Sequence, residues 1–279
     1  MYDQLSDRNY QRLAEILEGH VGIRLPLTKR TMVEGRLRKR VRALGLSTFD
    51  QYCDALFVHD QLESEFIHLI DLVTTNKTDF FREPEHFDFL RRTALPGLLA
   101  ERPARDDQHI KIWSAACSNG AECYTLAMVM ADSALRFSGL RFSVFGTDVC
   151  TEVLEQAVLG IYPDEMMQPV PPELRRRYVM RARDPVRRQA RVVPELRRLV
   201  RYRYLNLMDD KYPADRDLDV IFCRNILIYF NRQTQHAVLE KLCRHLRPGG
   251  YLFLGHSESA AGGSLAEMRP VAASVFRRE

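Results

Sequence analysis

The sequence predicts an all-helical N-terminal domain followed by an α/β domain on a parallel sheet, with a small antiparallel β insertion. Three observations predict this. Residues 1 to about 73 repeat their apolar positions only at helical spacing. From Ile110 onward, short apolar runs alternate with helical patterns. Within that second region, at about 162–204, lies an arginine-dense stretch with strand and turn signals. The resulting division is a helical domain at 1–73, a linker and connecting helix at 74–100, and the α/β domain at 101–279.

In the first domain, Ser6 or Asp7 can cap a helix carrying Leu13, Ile16 and Leu17 that ends near Gly19–Gly22. Thr28 can cap the next, TKRTMVEGRLRKRVRALG, with Met32 or Val33, Leu37, Val41 and Leu44 on its apolar side and Gly45 at its end. Arg30, Arg36, Arg38, Lys39, Arg40 and Arg42 make the rest of it basic. That is either a solvated face or a docking face for an acidic partner. Ser47 and Asp60 can cap two further helices.

The linker TTNKTDFFREPEHFDFLRRTALPGLL places Asn76, Thr78 and Arg82 at short spacing, and Pro84 suits the first turn of a helix burying Phe87, Phe89 and Leu90. A strand from Ile110 then runs into a loop of small residues, Ala115–Gly120, with Glu122 at the start of the next helix. A second strand, Phe142–Gly146, ends at Asp148. An acid ending the second strand, after such a loop, suits ribose hydroxyls; without G-x-G-x-x-G, an adenosyl ligand fits better than a dinucleotide.

In the insertion, Tyr178–Arg183 and Arg191–Val193 read as strands around a turn at Asp184–Pro185, with Leu199–Leu205 as a third. Its arginines suit a solvated hairpin or a phosphate-binding groove, although no RNA-binding motif is present. Asn206 and Leu207 follow. The stretch LDVIFCRNILIYF is a doubly buried strand, Leu218–Cys223, whose tip carries Arg224 and Asn225, with Tyr229 and Phe230 just beyond. A helix, a Pro-Gly-Gly turn, an apolar strand and a final hairpin close the chain.

Composition narrows the function. The chain has 279 residues, 46% of them hydrophobic, and a net charge of +4, too mild for a general DNA binder. Its six cysteines form no C-x-x-C and no framework spacing, which suits a reducing cytosol. No H-E-x-x-H points to a metal. The start of the chain lacks a signal peptide, and no apolar run approaches the ~20 residues that span a bilayer. The expectation is a cytoplasmic protein without direct membrane insertion, binding no nucleic acid.

The motifs NKTDFFRE, WSAACSNGAE, FGTD, IFCRNILIYF and LRPGGYLFLGHSE stand in one order along the chain. With them the chain resembles the chemotaxis receptor methyltransferases, the CheR family, over nearly its whole length. The resemblance implies a Rossmann-like S-adenosylmethionine-dependent methyltransferase domain. It implies esterification of glutamate side chains on bacterial chemoreceptors, with S-adenosyl-L-homocysteine as product. By the same resemblance Asn76, Thr78, Arg82, Glu122, Asp148, Asn206, Leu207, Arg224 and Asn225 bind the cofactor, and Arg82 and Tyr229 place the substrate carboxylate. The chain departs in having Gly-Ala-Glu where relatives often have Gly-Glu-Glu, leaving Glu122 as the acid. Some relatives hold a receptor's C-terminal pentapeptide at a glycine-bearing turn of the insertion. The turn MRARDPVRRQARVV has no glycine, so untethered receptors are expected.

A glutamate side chain, with a pKa of ~4.3, is already nucleophilic at neutral pH and needs no general base. The absence of a His–Asp or Cys–His constellation in these motifs agrees with that. The alternatives are a methyltransferase acting on RNA or a small molecule, and a non-enzymatic adaptor with a vestigial pocket. A nicotinamide dehydrogenase is disfavoured by the missing glycine fingerprint.

Overall fold

A computed structural model describes residues 4–57, 62–102, 108–182, 184–263 and 265–279. The expected cap Asp60 and the strand end Arg183 lie outside them. Helices α1 (Asp7–Val21), α2 (Arg30–Ala43), α3 (Phe49–Phe57) and α4 (Leu62–Val73) pack around Tyr10, Leu13, Leu17, Leu37 and Tyr52. Ser6 caps α1, its hydroxyl accepting from Asn9 N–H. α2 stops where Gly45 takes φ +71°: Gly45 N–H donates to Arg42 O and Leu46 N–H to Val41 O, which uses up the last carbonyls. Two expected caps move. A 3₁₀ turn, Leu27–Lys29, leads into α2 in place of a Thr28 cap, and Thr48 rather than Ser47 accepts from Gln51 N–H at the start of α3.

The basic face of α2 is smaller than its sequence implies, because α2 packs on α4. Arg36 Nη1 donates to the carbonyls of Leu72, Val73 and Thr74, the unpaired end of α4. Arg40 grips Glu65 with two hydrogen bonds of 2.7 and 2.8 Å. Arg30 binds Asp7, Glu34 and the Leu5 carbonyl. Only Lys39 and Arg42 of the six remain fully exposed, with Arg38 over the Phe49 ring.

The linker leads into α5 (Pro84–Phe89), a π-helical turn (Leu90–Ala94) and α6 (Leu95–Ala100). The wide turn sits just before Pro96, which has no N–H to give the preceding turn. Phe87 and Leu90 are buried as expected, whereas Phe89 is half-buried.

The α/β domain runs β1 (His109–Ala115), α7 (Ala121–Ala134), β2 (Arg141–Asp148), α8 (Thr151–Leu159), β3 (Ile161–Pro163), α9 (Pro172–Tyr178), β4 (Val179–Arg181), β5 (Gln189–Val192), α10 (Pro194–Arg197) and β6 (Val200–Tyr204). It continues through β7 (Leu218–Cys223), α11 (Arg232–Cys243), β8 (Leu246–Leu254), α12 (Ser259–Gly262), β9 (Met268–Ala272) and β10 (Val275–Arg278). The main sheet has the order β6-β2-β1-β7-β8-β10-β9 and is parallel except for β10. All six residues of β7 are buried. The insertion is a separate antiparallel sheet, β3-β5-β4. Its third strand is therefore Ile161–Pro163. The segment expected to be third, Leu199–Leu205, instead supplies β6, which lies parallel to β2 in the main sheet. Periodicity identified the strand but could not choose between its two sheets. Among the described residues, no helix is long and apolar enough to cross a membrane.

Chain order reverses between β1 and β7, where such a sheet opens a crevice at its carboxyl ends. The opposite end is locked by Asp219, fully buried, which accepts from Arg102 Nη2 (2.5 Å), Arg247 Nε (2.7 Å) and Lys111 N–H (2.8 Å). Asp219→Asn leaves two guanidinium groups short of their counter-charge. It is expected to lower unfolding stability by about 3–5 kcal/mol, read as a lower denaturant midpoint.

Candidate active site

One cavity opens at the carboxyl ends of β1, β2 and β7. Asn76, Thr78, Arg82, Glu122, Asp148, Asn206, Leu207, Arg224, Asn225 and Tyr229 all line it. They come from the linker, two strand tips, a helix start and two loops, so the sheet and linker together gather them.

The loop after β1 turns tightly by placing Ala116, Ser118 and Gly120 at φ +60°, +51° and +83°. That conformation aims Ser118 N–H at Asp148 Oδ2 (2.8 Å), while Cys150 N–H reaches Oδ1 (2.9 Å). Burial pushes the Asp148 carboxyl pKa up, and the amides of Cys150, Ser118 and Val149 partly offset the shift. Each oxygen retains acceptor capacity for a hydroxyl donor. Asn76 ties the linker to both loops: its carbonyl accepts from Ser118 Oγ (2.8 Å), and its Nδ2 contacts Thr74 Oγ1 (3.1 Å) and Cys150 Sγ (3.2 Å).

Arg224 is turned mainly to the protein. Its Nε donates to Glu122 Oε2 (2.7 Å), and its Nη1 reaches Arg82 O (2.8 Å), His86 Nδ1 (3.0 Å) and Glu83 Oε2 (3.3 Å). The other oxygen of Glu122 accepts from Ser114 Oγ (2.7 Å). Arg224 and Glu122 therefore form a buried brace at the cavity wall. Burial and the adjacent Arg224 charge lower the His86 pKa to about 4, so the ring is neutral and Nδ1 accepts from the guanidinium. Glu83 is pushed up by burial, but the Asn225 amide and the Arg224 guanidinium outweigh this and hold its carboxyl below the usual range.

Among the described residues, Glu83, His86 and His256 are close enough together to hold a metal ion. The Arg224 guanidinium already lies against two of them, and a cation would face it there. That positive charge opposes a metal ion there.

Asn225 stands at φ +60°. Its N–H donates to Glu258 Oε2 (2.8 Å) and its Nδ2 to Glu83 Oε1 (3.2 Å). Glu258 also accepts from Gly255 N–H (2.8 Å) and Ile228 N–H (3.2 Å), which shapes the loop carrying Tyr229. Burial pushes the Glu258 pKa up against the pull of these amides. Sequence reasoning missed Glu258; its only local signal is an acid just beyond the buried strand FLGHSE.

The N-terminal domain contributes a cavity wall that was also missed: Val21, Ile23, Leu25 and Lys29. Alternation at Ile23 and Leu25 after a glycine was the available signal. Gly22, at φ +73°, is required here, since a Cβ would lie 2.8 Å from Met208 Sδ and 2.9 Å from the Phe230 ring. Asn206 Nδ2 donates to His20 O (2.6 Å), and Arg24 N–H to Tyr229 O (3.2 Å). Lys29 Nζ lies 5.0 Å from the centroid of the Tyr229 ring.

Two family models match the chain: "CheR methyltransferase, all-alpha domain" over residues 8–74 and "CheR methyltransferase, SAM binding domain" over residues 76–273. A chemotaxis protein methyltransferase of Escherichia coli K12 is 40% identical over 255 residues, covering 91% of this chain and 85% of the relative. That of Salmonella typhimurium LT2 is 39% identical with the same coverage. That of Borreliella burgdorferi is 36% identical, covering 90% of this chain and 88% of the relative. The matched models span the helical domain, the linker and the cavity alike, and the chain belongs to the CheR family of S-adenosylmethionine-dependent chemotaxis methyltransferases.

Proposed function

We propose that this chain methylates glutamate side chains of chemoreceptors in the cytoplasm, giving glutamate methyl esters. The observation that carries this reading is the composition of the cavity. Arg82, Lys29 and Tyr229 offer donors to an incoming carboxylate, and among the described residues no histidine lines the cavity. The two carboxylates present, Glu122 and Asp148, are held by Ser114 and Arg224 and by two amides. Among the described residues the wall thus shows no histidine or unbraced carboxylate to act as a base, and a carboxylate substrate needs none.

When bound, S-adenosylmethionine supplies a sulfonium methyl that a carboxylate oxygen displaces, leaving S-adenosylhomocysteine. The residues present fit it. Asp148 has acceptor capacity for ribose hydroxyls, and Val149, Leu205 and Leu207 offer apolar surface for a base. The small loop Ala116–Ser118 admits close approach. Glu122, Arg224, Asn225 and Asn76 hold these parts in register, and Thr78 lines the cavity beside them. Arg82 and Tyr229 orient the substrate oxygen; a tight ionic clamp would lower its nucleophilicity. Arg82 suits this role, since its Nη1 has one weak bond, 3.2 Å to Lys77 O. The test is incubation with methyl-labelled cofactor and receptor-containing membranes. Label released as methanol by alkali is expected; base-stable label on protein, or label on RNA, would defeat the reading.

Tyr229→Phe removes one orienting hydroxyl. Turnover should fall at least about tenfold, with cofactor affinity unchanged within about threefold. Collapse of affinity in a binding titration would assign Tyr229 to the cofactor instead.

Docking on acidic receptor helices falls to the exposed cations of α2, Lys39 and Arg42, with Lys29 at the cavity. The double variant Lys39→Glu, Arg42→Glu should slow receptor methylation and flatten its decline with added salt. Unchanged rates would remove this face from the interaction. Receptors would be met untethered. A receptor C-terminal pentapeptide is therefore expected to show no saturable heat of binding in calorimetry.

A further inference from the structure

The edge of the main sheet at β6 carries features that methyl transfer does not use. Among the described residues, β6 is the last strand in its sheet and pairs only with β2. Leu199 O accepts from Val144 N–H, and Leu205 N–H donates to Asp148 O. Main-chain groups alternate along a strand, so the odd-numbered residues face β2. The N–H and C=O groups of Val200, Tyr202 and Tyr204 therefore face the open edge.

The side chains alternate as well. Tyr202, Arg203 and Tyr204 line a groove with Leu154, Glu155, Val158 and Leu159 of α8. Val158 is 59% exposed, Leu159 52% and Tyr204 42%, so this is uncovered apolar surface. Arg201 and Arg203 occupy the alternate positions, are exposed, and make no ion pair among the described residues. Arginines alone would merely discourage strand pairing. Apolar side chains along the same edge work the other way.

We propose that β6 is a strand-addition site for an extended segment of a partner protein in which acidic residues alternate with apolar ones. Its main chain would complete the open ladder. Its apolar side chains would enter the α8 groove, and its carboxylates would meet Arg201 and Arg203. A second copy of this chain fits poorly, because antiparallel β6–β6 pairing centred on Tyr202 sets Arg201 against Arg203 of its mate. The inference does not depend on the glutamate-ester reading.

The test is fluorescence anisotropy of a labelled heptapeptide of alternating valine and glutamate against the full chain, with a valine–lysine peptide as control. Saturable micromolar binding of the acidic peptide alone is expected. Arg201→Glu with Arg203→Glu, and separately Val158→Asp, should each weaken it at least about tenfold. Unchanged cofactor affinity and melting temperature would show that the variants are folded. No saturation up to millimolar chain, equal binding of the lysine peptide, or indifference to both variants would overturn the proposal. A dimer in sedimentation that Val158→Asp dissolves would give the edge to a second copy and overturn it too.

Discussion

A guanidinium taken out of water must be surrounded by acceptors, and the active end of this protein is built around that requirement. Arg224 is nearly fully buried at the tip of β7, and its partners come from two separate places in the chain. Glu122 begins the helix after β1. The Arg82 carbonyl, Glu83 and His86 belong to the linker. Each must be in position for the charge to be tolerated, and a buried charge left without its partner is costly. The linker therefore cannot drift from the sheet without exposing the cost of Arg224. Arg82 is held at the cavity by its own backbone as well as by its side chain. His86, kept neutral, adds an acceptor without a competing positive charge.

A second set of contacts fixes the helical domain over the same opening. Asp71 at the end of α4 accepts from both the amide and the hydroxyl of Thr151, at the first residue of α8 (2.8 and 2.7 Å). Its negative charge also complements that helix's N-terminus. Gly22 lets the chain leave α1 against Phe230 without a side chain between them. The helical domain is thereby part of the cavity wall, and Lys29 is brought to Tyr229 across the interface. Residues of the helical domain and of the sheet's carboxyl end thus line one cavity, an enclosure that would suit a reaction that profits from excluding water.

Charge in this molecule is mostly local structure. The arginines of α2 look from sequence like one continuous basic face. Three of the six instead satisfy carbonyls and carboxylates of neighbouring helices. The cations that α2 leaves in solvent are fewer and more widely placed, with Lys39 and Arg42 exposed.

Local pattern by itself determined a large part of this protein. Periods of about 3.6 and 2 separated the helical domain from the α/β domain. The uninterrupted apolar run Leu218–Cys223 marked a doubly buried strand, and Asp148 and Arg224–Asn225 stood where strands must end. Those features depend on residues within a few positions of one another. Tertiary structure decided what depends on distant partners. Val200–Tyr204 joins the main sheet rather than the insertion because its partner, β2, lies more than fifty residues earlier. Arg36 and Arg40 point inward because α4 lies beside α2. The Arg224 side chain braces the wall through a carbonyl 142 residues away, and Glu258 shapes the Tyr229 loop from 33 residues beyond Asn225. A sequence shows that a charge or a strand exists; only the packed chain fixes which acceptor or edge it meets.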